Sequence, residues 1–185
     1  DRKHTIAIQG MGMAAFYRVP WNDPVLVKPI LDMGVDGIVF PMVCCKEDAQ
    51  RAVSACRYPP RGVRGWGPVR DGGYGAYSSD WQLENAENLW KIMQIEHYEA
   101  VENLEEIMAV DGVDAITVGA SDLSCSMGMP MQVDHPDVLA KLDEIARKAK
   151  AANMPFSISM GYNPARLRQW VERGINWLSI GDEYD

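Results

Sequence analysis

A parallel α/β sheet built from repeated βα units is the fold class this sequence predicts, and three observations carry the prediction. The segments "GVDGIVFP" from Gly34, "GVDAITVG" from Gly112 and "GINWLSIG" from Gly174 align without gaps, each opening a short β-rich run after an amphipathic stretch. The runs are apolar continuously rather than alternately, as strands covered on both faces are. Asp23-Pro24 and Asn163-Pro164 each offer an N-cap followed by proline at the first helical position.

Taken in order, the pattern predicts strands at 16–20, 37–43, 91–96, 115–119, 155–160 and 177–181, with helices between them. Gly34 and Gly174 read as C′ residues that end helices in the left-handed conformation. Lys46 to Cys56 places Ala49, Ala52, Val53 and Cys56 on one helical face. Residues 99–110 do the same with Ala100, Leu104, Ile107 and Met108, and residues 137–152 with Val138, Leu142, Ile145, Ala149 and Ala152. The stretch "GVRGWGPVRDGGYGAYSSDW" (62–81) is too rich in glycine for an element interior and reads as a long mobile loop over one end of the sheet. Such alternation fits a closed (β/α)8 barrel or an open doubly wound sheet. No GxGxxG follows a strand, which lowers the dinucleotide-binding reading. Residues 1–185 read as one (β/α) barrel domain with its first βα units missing or incomplete, because the strands counted fall short of a barrel's eight.

With 185 residues, 47% hydrophobic and 24% charged, the chain can bury a core. A net charge of −8 argues against nucleic acid and anionic membrane as partners, though a local arginine can still receive a small anion. No apolar run is long enough to span a bilayer. Cys44, Cys45, Cys56 and Cys125 form no CxxC pair, so they suggest neither a zinc site nor a disulfide framework, and the cytoplasm is the expected home.

In parallel βα folds the working groups gather at the carboxyl ends of the strands. That edge offers Arg18, Asp23, Glu96, Gly119, Ala120, Ser121, Asp122 and Asp182. Glu96, in "MQIEHYEA", reads either as an acid in a first helical turn, where the helix dipole favours it, or as a ligand delivered by its strand. Asp122 reads either as a helix cap or as the second ligand from the adjacent unit. Two carboxylates with open positions suit Mg²⁺ or Mn²⁺. Arg18 reads as a rim ion pair or as a fixed cation for a carboxylate or oxyanion. Lys91 opens its strand at the wrong end, and Lys28 and Lys46 fall in helices, which disfavours a Schiff base and leaves a metal as the electron sink.

"RVPWNDP", "ILDMGVDGIVFPMV", "RYPPRGVRG", "QIE", "VDAITVGASDLSCSMG" and "HPDV" occur in that order between Tyr17 and Asp182. Together they resemble the metal-dependent (class II) pyruvate aldolase family, of the 4-hydroxy-2-oxoheptanedioate and 2-keto-3-deoxy-glucarate aldolase type. Macrophomate synthase and the citrate lyase β-subunit group look like more distant relatives. The resemblance implies a barrel of the phosphoenolpyruvate/pyruvate type that cleaves a 4-hydroxy-2-oxo acid reversibly to pyruvate and an aldehyde. It implies Glu96 and Asp122 as ligands of a divalent ion, Mg²⁺ first with Mn²⁺ or Co²⁺ as alternatives. Gln94 and Asp122 would contact substrate, and the amides of Gly119, Ala120 and Ser121 would receive the pyruvate carboxylate. Arg18 would stabilise the enolate oxygen, and Asp32 would raise the basicity of a catalytic histidine. "DRKH" is read as a remnant of that histidine's "DxEH" motif at a strand end, with His4 as the base and Lys3 in place of the glutamate. Where Ala120 stands the family has proline, a difference expected to loosen the carboxylate cradle slightly. His97 and His135 are expected at the surface. A homo-oligomer, a trimer of dimers, is also implied, with Trp170 and Trp177 as packing residues. Oxaloacetate decarboxylation by the same enolate and a non-catalytic barrel subunit are the alternative functions.

Overall fold

Six strands form one entirely parallel sheet in strict sequence order, β1 (Phe16–Arg18), β2 (Gly37–Phe40), β3 (Trp90–Ile95), β4 (Ala115–Val118), β5 (Phe156–Ser159) and β6 (Trp177–Ser179). The computed structural model describes residues 2–159 and 163–179. Asp182, expected at the rim, and the far end of the 177–181 strand lie outside the described residues. A doubly wound sheet reverses its strand order at a switch point, and this order has no reversal, so the sheet is an arc of barrel type.

Nine helices are described: α1 (Arg2–Gly10), α2 (Pro24–Leu31), α3 (Lys46–Cys56), α4 (Ser79–Asn88), α5 (Tyr98–Glu102), α6 (Leu104–Met108), α7 (Ala120–Ser126), α8 (Pro136–Ala151) and α9 (Pro164–Glu172). Their starts follow local chemistry. Asp23 accepts from the Val25 N–H at 2.8 Å and Asn163 from the Arg166 N–H at 3.1 Å, each before a proline at the first turn. Both predicted C′ glycines are left-handed, Gly34 at φ 71° and Gly174 at φ 100°. The strand of Arg18 stops early because Pro20 has no N–H for the ladder; Val19 makes the last bond, to the Val39 carbonyl at 3.1 Å.

The predicted helical faces are buried, with one exception. Val138, Leu142, Ile145 and Ala149 enter one apolar core with Ala49, Val53, Leu104, Ile107, Met93, Ile95 and Ile116. Ala152 instead caps α8 and is exposed. The predicted helix at 99–110 is two short helices meeting at Asn103, whose side chain donates to the Cys44 carbonyl at 3.0 Å.

The segment 62–81 differs most from expectation. Helix α3 returns the chain to the amino edge of the sheet, α4 leads directly into β3, and everything between stays at that edge. Arg64, 3% exposed, pairs with Asp71 and, at 3.6 Å, with Asp32. Arg70 donates to the Met33 and Gly34 carbonyls at 2.9 and 3.2 Å. The segment is therefore tied beneath the sheet and does not cover the carboxyl edge. Ser78, which caps α4 by accepting from the Trp81 N–H, and Asp80 in the first turn were the start signals that the glycine count obscured.

Removing Arg64 strands the buried Asp71 carboxylate. Arg64→Ala is expected to destabilise the fold by about 3–5 kcal/mol, the usual loss on breaking one side of a buried pair. Denaturant unfolding measures that loss. The same variant, titrated with Mn²⁺ below its unfolding midpoint, should keep wild-type ion affinity, because the carboxyl edge is untouched.

Candidate active site

At the carboxyl edge the strand ends enclose a cavity of about 410 Å³. Its wall includes Arg18 after β1, Gln94 on β3, Thr117 on β4, Gly119 through Asp122 at the start of α7, and Ser159 and Ser179 at the ends of β5 and β6. Glu96 borders this cavity through Gln94 and Gly119.

Glu96 is not part of the helix that follows it. Helix α5 begins at Tyr98 with His97 as N-cap, and Glu99 is the acid in its first turn. Glu96 is 4% exposed, and its two oxygens are separately held. Oε1 accepts from the Met42 backbone N–H at 2.8 Å, and Oε2 accepts from the Gln94 side-chain amide. Met42 reaches that position with φ 53°, an uncommon conformation for a residue with a Cβ and one that concentrates at functional sites. Burial, with the nearby negative charge of Asp122, pushes the Glu96 carboxyl above its usual range; the two hydrogen bonds and the field of Arg18 oppose this.

Gly119 lets the carboxylate lie where it does. A Cβ there would stand 2.8 Å from Glu96 Oε2 and 2.9 Å from Glu96 Cβ, closer than real contacts allow. The Gly119 N–H continues the ladder to the Ile95 carbonyl at 3.1 Å, which sets the turn into α7. The first-turn amides of α7 have no acceptor within the helix and face the rim. Arg18 is exposed on the opposite side of the cavity, and among the described residues it joins no salt bridge. The rim-ion-pair reading of Arg18 therefore has no partner among those residues.

A model of the HpcH/HpaI aldolase/citrate lyase family matches residues 2–183. The chain belongs to that family. It is 34% identical over 178 residues to a 5-keto-4-deoxy-D-glucarate aldolase of Escherichia coli, covering 96% of this chain and 69% of the relative. Among solved structures it is similar to an HpcH/HpaI aldolase/citrate lyase family protein from Burkholderia cenocepacia J2315, with TM-score 0.91 and 30% identity over 100% of this chain and 75% of that one. An HpcH/HpaI aldolase from Desulfitobacterium hafniense DCB-2 gives TM-score 0.88 and 29% identity, covering 98% and 71% of the two chains. The reaction class of the family is carbon–carbon bond cleavage.

Of the residues singled out in the sequence, the structure brings together Arg18, Gln94, Gly119, Ala120, Ser121 and Asp122, with Glu96 beside them. It does not bring in His4 or Asp32. His4 is exposed within helix α1, so Arg2 to His4 are helical and do not end a strand, which also explains the short span before Arg18. Asp32 caps the C-terminus of α2 at the amino edge, paired with Lys28 at 2.7 Å and Arg64 at 3.6 Å, across the sheet from the cavity. Of the assembly candidates, Trp170 is 5% exposed in the core under Arg173, and Trp177 is partly buried and lines the cavity. His97 and His135 cap α5 and α8 through ring nitrogens, accepting from Glu99 and Asp137 N–H groups. Lys91 is wholly buried at the amino edge, donating to the Glu87 and Leu89 carbonyls.

Sequence reasoning missed the Met42 N–H, a backbone group without a signature, and the serines that end β5 and β6. It also missed that Cys44, His97 and Glu99 bring their ligand atoms within 4.8 Å of one another.

The residues present fit a hard divalent ion. Glu96 and Asp122 supply two carboxylates and Gln94 an amide oxygen, an all-oxygen set. Each Glu96 oxygen accepts one hydrogen bond and keeps a second lone pair. The unfavourable charge on Glu96 is what a cation would offset.

That shift fixes a pH dependence for the ion-free protein. Because the folded-state pKa is raised above the unfolded value of about 4.3, the folded chain binds more protons between the two values. Its stability should therefore fall as pH rises through that window. Glu96→Gln, a neutral stand-in, should match wild-type thermal stability below the window and exceed it above. Melting temperatures against pH in excess chelator check this, and a constant difference would show that burial does not penalise the charge.

Proposed function

We propose that this site cleaves 4-hydroxy-2-oxo acids to pyruvate and an aldehyde, with the charge of the pyruvate enolate carried on the strand ends of an eightfold (β/α) barrel. The observation that carries the reading is the buried Glu96 carboxylate, held beside Asp122 and facing Arg18 across one cavity. The sequential parallel strand order supports the barrel, with residues 1–185 forming one domain of it.

The 2-oxo acid carboxylate is received by the amides of Gly119, Ala120 and Ser121, where the helix terminus favours an anion. Arg18 faces the keto oxygen and takes up the charge that develops as the C3–C4 bond breaks. Gln94 fixes the orientation of Glu96 and presents its remaining amide atoms to substrate. Glu96 and Asp122 would hold a divalent ion, Mg²⁺ in first place, which when bound supplies Lewis-acid polarisation of the 2-oxo acid. Similarity to the Escherichia coli 5-keto-4-deoxy-D-glucarate aldolase points to hydroxylated sugar-acid derivatives as the substrate class. A homo-oligomer, in the form of a trimer of dimers, in a reducing cytoplasm completes the reading; all four cysteines are unpaired, and no described helix is long and apolar enough to cross a membrane.

Decarboxylation of oxaloacetate would reach the same enolate: it releases carbon dioxide, whereas aldol cleavage needs an acceptor for the C4 hydroxyl proton, so comparing oxaloacetate with a hydroxy-oxo acid separates the two activities.

Pyruvate release from both substrates, followed through lactate dehydrogenase with and without chelator, tests the reading. Activity should vanish in chelator and return with Mg²⁺ or Mn²⁺. Arg18→Ala should lower the turnover number by about 10²–10³, the loss typical of one preorganised oxyanion donor, with a smaller change in the Michaelis constant. Full activity in chelator, or a lysine adduct trapped with borohydride, would refute the class.

A further inference from the structure

Outside the cavity, the loops that follow β2 and β3 bring three different metal-ligating side chains together. Cys44 comes from the loop after β2, His97 is the N-cap of α5 after β3, Glu99 stands in the first turn of α5, and none of them lines the cavity. Their ligand atoms lie within 4.8 Å of one another, and His97 Nδ1, 3.9 Å from Glu99 Oε2, would exchange the cap hydrogen bond it accepts from the Glu99 N–H at 3.4 Å for the ion. Ligands of a tetrahedral ion at about 2.0–2.3 Å stand roughly 3.3–3.8 Å apart, so side-chain movements of about an ångström close the set. Glu99 has that freedom, its side chain being 52% exposed, and His97 is partly exposed at 27%.

The main chain beneath them is fixed. The Cys44 N–H donates to Asp48 Oδ2 at 3.0 Å, and its carbonyl accepts from Asn103 at 3.0 Å. The Tyr98 N–H donates to Ser126 Oγ at 3.0 Å, and the His97 ring stacks on Tyr98 with centroids 4.7 Å apart. The charges around the thiol are acidic: Asp48, Glu99 and Glu96 all oppose a bare thiolate. The same field attracts a dication, which can take the sulfur by displacing its proton.

We propose that Cys44, His97 and Glu99 form a second cation site, for a borderline divalent ion of the Zn²⁺ or Co²⁺ kind, distinct from the all-oxygen site at Glu96 and Asp122. Thiolate, imidazole and carboxylate together suit a tetrahedral ion with one position left for water, whereas Mg²⁺ prefers oxygen alone. On binding, the S–H bond of Cys44 breaks, the sulfur joins the ion, and the proton leaves to buffer; no electron changes hands. The site would pin the outer side of the loop whose Met42 N–H holds Glu96 at 2.8 Å; the thiol's own hydrogen bond to the Met42 carbonyl, 3.6 Å in the ion-free chain, is given up with the proton.

The test uses the whole chain, saturated with Mg²⁺ and kept reduced with a phosphine, titrated with Co²⁺. A near-ultraviolet thiolate-to-cobalt charge-transfer band should grow to one ion per chain, and Zn²⁺ should abolish it. Cys44→Ala should remove the band, while Cys45→Ala and Cys125→Ala should keep it. His97→Gln and the surface change Glu99→Gln should each weaken Co²⁺ binding by about tenfold or more. In the unmutated chain, Zn²⁺ should protect Cys44 from iodoacetamide, read by peptide mass, whatever the folding of the variants. No band, a band that survives Cys44→Ala, or alkylation of Cys44 unchanged by Zn²⁺ would overturn the proposal.

Discussion

A carboxylate held out of water at the end of a strand is the constraint around which the carboxyl edge is arranged. Glu96 would be costly to bury charged without partners, and the neighbouring chain is shaped to supply them. Met42 adopts a left-handed backbone to aim one N–H at it, Gln94 turns its amide toward it, and position 119 gives up a side chain so that it fits. What these donors leave unmet, with Asp122 adding to the negative charge, is a demand for positive charge. That demand gives the cavity a chemistry as well as a shape.

The two edges of the sheet divide the labour of the fold. At the amino edge, ion pairs close the structure: Arg57 with Glu87 and Asp111, Arg64 with Asp71 and Asp32, and Lys91 with Asp114. These groups pair with one another, although Arg64 Nε and the Oδ1 atoms of Asp32 and Asp71 stay buried without a hydrogen-bond partner. At the carboxyl edge the serines, the free first-turn amides and Arg18 face space instead. Asp32 shows how the division limits motif transfer: the resemblance implies a role beside a catalytic histidine, yet within this chain it serves the amino edge.

The strands were legible because parallel strands buried on both faces leave continuous apolar runs, and because glycines must end the preceding helices. Glu96, Asp122 and Gly119 could be found by asking which residues follow those runs. His4 was misplaced because a four-residue string resembled a strand-end motif while its helical neighbours, Arg2 to Gly10, went unread. Which edge the segment 62–81 covers was not legible, because glycine content says that a stretch is irregular but not where it is anchored; the anchors Arg64 and Arg70 find their partners outside it or across it. Cys44, His97 and Glu99 were invisible for a related reason, since their proximity is set by the register of β2 on β3 rather than by spacing along the chain.

The central claim is that Glu96 and Asp122 together hold a divalent ion where a 2-oxo acid can reach it. Electron paramagnetic resonance of Mn²⁺ titrated into the chain tests this most directly, since free and bound ions give different signals. One Mn²⁺ per chain should bind at the oxygen site, its spectrum should change when oxalate, a mimic of the pyruvate enolate, is added, and both effects should be lost in Glu96→Gln and Asp122→Asn. Undiminished Mn²⁺ binding in either folded variant, or a bound-ion spectrum that ignores oxalate, would contradict the account.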